Sequence, residues 1–281
     1  MSSRFPSGIA LCLAGMLAVA ASPAAAREMR VCADPNNLPF SKQDGSGYEN
    51  KIADIIAEEL GAEVTYTWFA QRRGFLRNTL NAGVCDVVIG YPRNYQILRS
   101  TRPYYRSSYV FVQRAGEKPI AGYDDPSLRQ MQIGVQLIGD DGANTPPVAA
   151  LAKRGITANV HGYPVYGDYR TDAPLAPIMD AVGSGTIDVA VVWGPTAGYF
   201  ASREKLPLQL TPILFDSSLL SQPMTFDIAV GVRKNEIALS DEIDRALRNR
   251  RKDIDAILQS YGVPRTDTAS PAPASVVGSM P

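Results

Sequence analysis

The sequence predicts an α/β protein of two lobes, a clam-shell in which each lobe carries a parallel or mixed sheet and two extended strands cross between them. Three observations support this. Short β-rich runs alternate with helical apolar stripes, first before and again after the middle of the chain. Two aromatic and β-branched runs, Tyr104–Gln113 and Phe226–Val232, stand outside that alternation and are placed to cross. The 281 residues, 45% hydrophobic and 20% charged, are enough for two modest cores.

Residues 1–26 read as a secretory signal. Arg4 gives the positive start, Ile9–Ala21 is an uncharged apolar run too short to span a bilayer, and Ala24-Ala25-Ala26 is a small-residue cleavage box. Cys12 lies inside the apolar run and Cys32 well beyond the cut, so neither is placed for a lipid anchor. The mature protein is expected to begin at Arg27, in the periplasm, with no membrane anchor.

The first lobe is expected over 27–112 plus 226–265. Met29–Ala33 reads as a strand. Ser46 and Glu49 have the spacing of a capping box, ahead of a helical stripe of Ile52, Ile55, Ile56 and Leu60 that Gly61 ends. Val64–Trp68 is β-rich. Phe75, Leu76, Thr79 and Leu80 make a second stripe, closed by Gly83, and Val84–Gly90 is a buried strand. Strand–helix–strand repeated in this way implies parallel pairing with right-handed crossovers.

The second lobe is expected over 113–225. Its strands are Met131–Val135, Thr157–His161, Ile187–Trp193 and Leu208–Leu214, and its helices Val148–Lys153 and Ile178–Val182. The C-terminal helices carry Ile243, Leu247, Ile254, Ile257 and Leu258, with Ser240 as a cap and Gly262 and Pro264 as the stop. Residues 266–281, rich in Ala, Ser and Pro, have no core pattern and are expected to be disordered.

Lys plus Arg and Asp plus Glu number 28 each, so no basic excess points to nucleic acid. The single histidine, His161, limits any histidine-based metal cluster or triad to one member. No G-x-S-x-G, Walker loop, C-x-x-C or H-E-x-x-H occurs, so neither catalysis nor a cofactor or metal is expected. Outside the signal only Cys32 and Cys85 remain. An even count in an oxidising compartment points to one disulfide, possible if their strands are adjacent, with two buried thiols as the other reading.

Ligands of such sheets sit beyond the carboxyl ends of strands, here Asp34–Phe40, Trp68–Arg73 and Tyr91–Arg93. Candidate binding residues follow from these ends. Asp34, Asn36, Asn37 and Phe40 line the first loop, with Asp34 suited either to a ligand hydroxyl or to capping the turn behind it. Trp68 and Trp193, the two tryptophans, each end a strand on the ligand side and offer rings to a ligand or a partner's side chain. Arg72 and Arg73 open a helix, where the dipole gives them no stabilising role, and suit an anion or a partner carboxylate. Tyr91, Arg93 and Gln136 complete the strand ends. Asp140 and Asn144 lie in a Gly-rich loop whose spacing is wrong for calcium. Tyr166 and Tyr169, in a loop stiffened by Pro and Gly, read as part of a protein-contact surface.

The plan over Arg27–Pro264 resembles the type II periplasmic solute-binding proteins, with Cys85-Asp86-Val87-Val88-Ile89-Gly90, Pro103-Tyr104-Tyr105 and Phe226–Val232 in the family's order. A narrower set, Asp34-Pro35-Asn36-Asn37-Leu38-Pro39-Phe40, Ala70-Gln71-Arg72-Arg73-Gly74-Phe75, Thr101–Val110, Gly134–Pro147, Gly162–Arg170 and Val192-Trp193-Gly194-Pro195, is similar to the quinoprotein dehydrogenase-associated branch, the MxaJ- and XoxJ-like accessory proteins encoded with periplasmic methanol dehydrogenases. That resemblance implies a monomeric accessory factor that assists maturation or activation of a PQQ-dependent methanol or alcohol dehydrogenase. The alternative is a transporter's receptor for a small solute. Amino-acid-binding relatives clamp their ligand with an Arg after the third strand and an Asp in the second lobe. Here Arg93 is only roughly in register and Trp193 stands at the Asp position, so an amino acid is a poor fit.

Overall fold

A computed structural model describes residues 27–138, 144–165 and 169–267, and the backbone of 275–277. Asp140, Tyr166 and residues 1–26 lie outside the described residues. The chain begins with β1 (Arg27–Ala33), β2 (Asn36–Asn37), β3 (Ser41–Lys42), α1 (Tyr48–Leu60), β4 (Ala62–Trp68), α2 (Phe75–Asn78), β5 (Val87–Pro92), β6 (Arg99–Ser100) and β7 (Tyr105–Arg114). A 3-10 turn at Pro126–Arg129 leads to β8 (Ile133–Leu137), α3 (Pro146–Lys153), β9 (Val160–Pro164), α4 (Pro177–Gly183), β10 (Val189–Trp193), α5 (Gly194–Ala201) and β11 (Leu208–Pro212). Then come β12 (Thr225–Val232), α6 (Ile237–Asn249), α7 (Arg251–Ser260) and β13 (Ser275–Val277).

The strands run in the order β4-β1-β5-β12-β7-β10-β8-β9. β1 is parallel to β4 and β5, and β8 is parallel to β9 and β10. These pairs give each half the parallel pairing that its alternating sequence implies. β7 joins the halves. Tyr105–Ser108 pairs with β12, whereas Tyr109 onward pairs with β10 and Val110 onward with β11. The change of partners falls at Ser108–Tyr109. There the Tyr109 N–H donates to the Met224 carbonyl at 2.9 Å and its own carbonyl accepts from Ile213 N–H at 2.9 Å. This is a clam-shell with its crossing where two extended runs were expected.

In the first half, Ile52 and Ile56 of α1 pack with Ile243, Leu247, Ile254 and Leu258 of α6 and α7 over Val87 and Val230. In the second half, α4 and α5 cover one face of the sheet and α3 the other. β10 is consequently apolar on both faces, and its run Val189–Val192 is fully buried.

Several local expectations need correction. The Ser46–Glu49 capping box does not form. α1 begins one residue later, with Gly47 as N-cap, and the reciprocal partner is Asn50, whose Oδ1 accepts from the N–H of Gly47 (3.2 Å) and Lys42 (3.0 Å). The Glu49 N–H is taken by the Phe40 carbonyl and the Ser46 N–H by Asp44 Oδ1 at 2.9 Å, so neither bond of that box is made and the Glu49 side chain lines the cavity described below instead. Ser240 lies inside α6, which starts a turn earlier. α2 is a single turn, and α5 follows β10 directly with Pro195 in its first turn. The strand expected at Thr157–His161 is shifted to β9. Within the tail, Ser275–Val277 forms a strand on β11, which otherwise offers an unpaired edge (Leu208↔Val277).

Cys32 and Cys85 are bridged, with Cα atoms 5.5 Å apart. Their strands are neighbours, since Val31 pairs with Val87 and the Asp86 N–H donates to the Arg30 carbonyl. Arg30 grips Asp86 through two bonds of 2.7 Å, and Arg233 adds one of 2.6 Å. Burial raises the Asp86 carboxyl, but the two guanidiniums outweigh it and hold the group below its ordinary range.

Candidate functional site

A cavity of ≈ 640 Å³ lies between the halves, within the size range of small-molecule sites. The first half contributes Asn37, Phe40, Glu49, the segment Gln71–Arg77 and Gly90–Pro92, and the second contributes Gln136, Val165 and Trp193. Tyr109 and Phe226 come from the crossing strands.

Rings dominate the crossing. Trp193 meets Tyr109 edge-on at 5.4 Å and Phe226 at 5.6 Å, and Tyr109 meets Phe226 at 6.4 Å. Such edge-to-face contacts are favourable beyond the area they bury. Gln136, 5% exposed, fixes the trio from behind, its Oε1 accepting from the Trp193 backbone N–H at 2.8 Å. The position where amino-acid-binding relatives were expected to carry an Asp therefore holds an indole in an aromatic cluster.

Asp34 is 4% exposed and accepts three hydrogen bonds. Its Oδ1 takes the Asn36 N–H at 2.9 Å, which is the turn-capping role. Its Oδ2 takes the Gln71 N–H at 2.7 Å and, from the other half, the Tyr169 hydroxyl at 2.6 Å. Burial first, and the Asp34 carboxylate second, push the Tyr169 hydroxyl above its ordinary range. Nearby, Asn36 Nδ2 donates to the Thr171 carbonyl at 2.6 Å and the Arg72 guanidinium lies 5.4 Å from the Tyr169 ring centre. Residues 169–171 thus latch the second half onto the first. Tyr169, expected as part of a protein-contact surface, is 37% exposed while its hydroxyl is bound to Asp34.

Asn37 donates to Gln71 Oε1 at 3.1 Å and lines the cavity with Phe40, Arg72, Arg73 and Tyr91. Six expected residues do not line the cavity: Asp34, Asn36 and Tyr169 form the latch described above, and Trp68, Arg93 and Asn144 stand apart. Trp68 stacks on Tyr66 at 4.5 Å, against the first core. Arg93 is exposed, its N–H bonded to the Asp227 carbonyl. Asn144 is exposed just ahead of α3. His161 is also exposed, its Nε2 2.6 Å from Gln132 Oε1, and no group of acidic, Cys or His side chains among the described residues is arranged to hold a metal.

Tyr109, Phe226 and Glu49 are among the cavity residues that the strand-end rule missed. The first two belong to crossing strands rather than strand ends. Glu49 carries the spacing of a cap, yet its carboxyl lies against Gly90, where a Cβ would clash with Oε1. The residue is partly exposed and its carboxyl lines the cavity. Burial, then the nearby Asp34, raise it well above the usual carboxylate range.

Residues 29–264 match the family of bacterial extracellular solute-binding proteins, family 3. The protein MoxJ of Methylorubrum extorquens is 35% identical over 249 residues, which cover 84% of this chain and 81% of that protein. The protein MoxJ of Paracoccus denitrificans is 32% identical over 273 residues, 90% of this chain and 96% of that one. The crystal structure of the periplasmic binding protein XoxJ from Methylobacterium extorquens AM1 superposes with a TM-score of 0.69 at 37% identity, covering 84% of this chain and 98% of that chain.

Proposed function

The chain belongs to family 3 of the bacterial extracellular solute-binding proteins, and from that membership we propose that it is a periplasmic accessory protein of the MoxJ and XoxJ kind. In this reading its cleft grips a segment of a PQQ-dependent methanol or alcohol dehydrogenase and assists its maturation or activation. The observation that carries the proposal is Trp193. A position suited to pairing with a ligand's ammonium is filled by an indole in a three-ring cluster, and the opposite wall carries Arg72 and Arg73. Rings and guanidiniums are the side chains that dominate protein–protein hot spots. The similarity to MoxJ and XoxJ supports the choice of partner.

The test is co-elution of the purified mature chain with apo- and holo-dehydrogenase, side by side and without added solute. Retention of either form supports the reading, and Trp193→Ala weakens it. Absence of both complexes overturns it.

The cavity volume favours a second reading, a receptor for a small solute other than an amino acid. That reading predicts a saturable change in tryptophan fluorescence with one small ligand and no complex with a dehydrogenase.

A further inference from the structure

The first half carries a patch beside the cavity that the aromatic crossing does not explain. α2 and the turn between β5 and β6 rest on one core cluster, through Phe75 and Leu76 from the helix and Leu98 from the turn, together with the bridged Cys32 and Cys85. The turn is fixed by its own backbone, with Tyr95 N–H donating to the Pro92 carbonyl at 3.1 Å and Leu98 N–H to the Tyr95 carbonyl at 3.0 Å. On this platform Tyr95 and Ile97 are 46% and 48% exposed, and the Tyr95 ring meets that of Tyr91 at 5.6 Å. Both line the cavity, as does Arg77 from α2. Large apolar side chains held out at the rim of a cleft suit contact with another molecule.

Arg77 gives the patch its sign. Its guanidinium lies back over Gly74, itself in the cavity wall, where a Cβ would meet Nη2 at 3.1 Å. Among the described residues Arg77 makes no hydrogen bond and no ion pair, whereas Arg30, Arg154, Arg233 and Arg265 each grip a carboxylate. Arg72 and Arg73 share its wall, and Glu49 is the one carboxylate among the described lining residues. The second half lines the cavity with uncharged side chains, Gln136, Thr145 and Trp193 among them. The charge of the cavity is therefore positive and one-sided, and guanidiniums keep it at any working pH. The complementary occupant is anionic and apolar at once. A bare anion would leave Tyr95 and Ile97 uncovered, and a purely apolar ligand would leave the guanidinium without a counter-charge. We propose that this patch docks a polypeptide segment in which an Asp or Glu stands beside a bulky apolar residue, the carboxylate on Arg77 and the apolar side chain on Tyr95 and Ile97. The inference rests on the cleft being a protein-docking site, as in the proposed function.

NMR titration of the isotope-labelled mature chain tests it. The probes are the blocked peptide acetyl-Gly-Leu-Glu-Leu-Gly-amide, the same peptide with Gln for Glu, and the same with Ala for both Leu. Propionate and inorganic phosphate stand for free anions. The Glu peptide is expected to bind about fivefold more tightly than the Gln peptide, the upper end for an exposed ion pair, and the difference shrinks as salt rises. The Leu peptide is expected to bind more tightly than the Ala peptide. Arg77→Gln removes the preference for Glu, Arg77→Lys restores part of it, and Tyr95→Ala combined with Ile97→Ala removes the preference for Leu. Thermal melts of these variants, all at exposed positions, establish that they fold. The proposal is overturned if the Gln peptide binds as well as the Glu peptide, if Arg77→Gln keeps the preference, if propionate or phosphate binds as tightly as the Glu peptide, or if no peptide binds. These preferences without a dehydrogenase complex support the inference and overturn the proposed function. A dehydrogenase complex without these preferences does the reverse.

Discussion

Asp216 illustrates how a single buried charge contributes to the acid sensitivity of this molecule. It is 6% exposed and receives Arg154 through two bonds, Nη1 to Oδ2 at 2.7 Å and Nη2 to Oδ1 at 3.0 Å. The guanidinium, against the opposing effect of burial, pulls the carboxyl down to about 2. The unfolded chain protonates the same group near pH ~4, so the native state binds the proton less readily. The stabilisation, on the order of 2 kcal/mol, is present above that pH and is lost as pH falls from ~4 toward ~2. Urea titrations at pH 6 and pH 2.5 check this, and Asp216→Asn is expected to lose less stability than the parent between the two. The pair also pins the loop after β11, whose Phe215 and Leu220 project into solvent at 76% and 88% exposure.

At the scale of elements, the bridge between β1 and the residue ahead of β5 closes a separation of 53 residues. Replacing both Cys32 and Cys85 by Ala is expected to cost about 2–4 kcal/mol by the entropy of that loop. Denaturant midpoints measured with and without reductant should show the same loss in the parent and none in the variant. The adjacency behind this bridge was legible in the sequence, because alternating strands and helices leave few topologies. The stripe of α1 was equally legible, since Ile52 and Ile56 recur on one face. Its start was not. The spacing of Ser46 and Glu49 fits a cap, and only the fold reveals that Asp44 Oδ1 and the Phe40 carbonyl already accept those N–H groups. α5 was missed because Gly194–Ala201 is buried all round and carries no one-sided stripe. Likewise the strand-end rule found Trp193, Tyr91 and Arg72, but not Tyr109 and Phe226, whose place in the cavity depends on how the halves meet.

For the whole molecule, the contacts of residues 169–171 with Asp34 and Asn36 hold the halves together over the cavity. Each such hydrogen bond contributes about 1 kcal/mol net. Combining Tyr169→Phe with Asn36→Ala is expected to shift the closed–open balance toward open by roughly 10- to 30-fold. Small-angle scattering should then report a larger radius of gyration for the double variant than for the parent, and an unchanged radius would mean that these bonds do not hold the cleft shut.

The switch of partners within β7 has one more outcome. Tyr109 is bonded on both sides of its backbone at the point where bending has least sheet to disrupt, and its ring touches the indole of Trp193. A swing of one half against the other is therefore expected to carry Trp193 and Tyr109 together against Phe226 of β12. Tryptophan emission in a Trp68→Phe variant should read that movement without any attached dye.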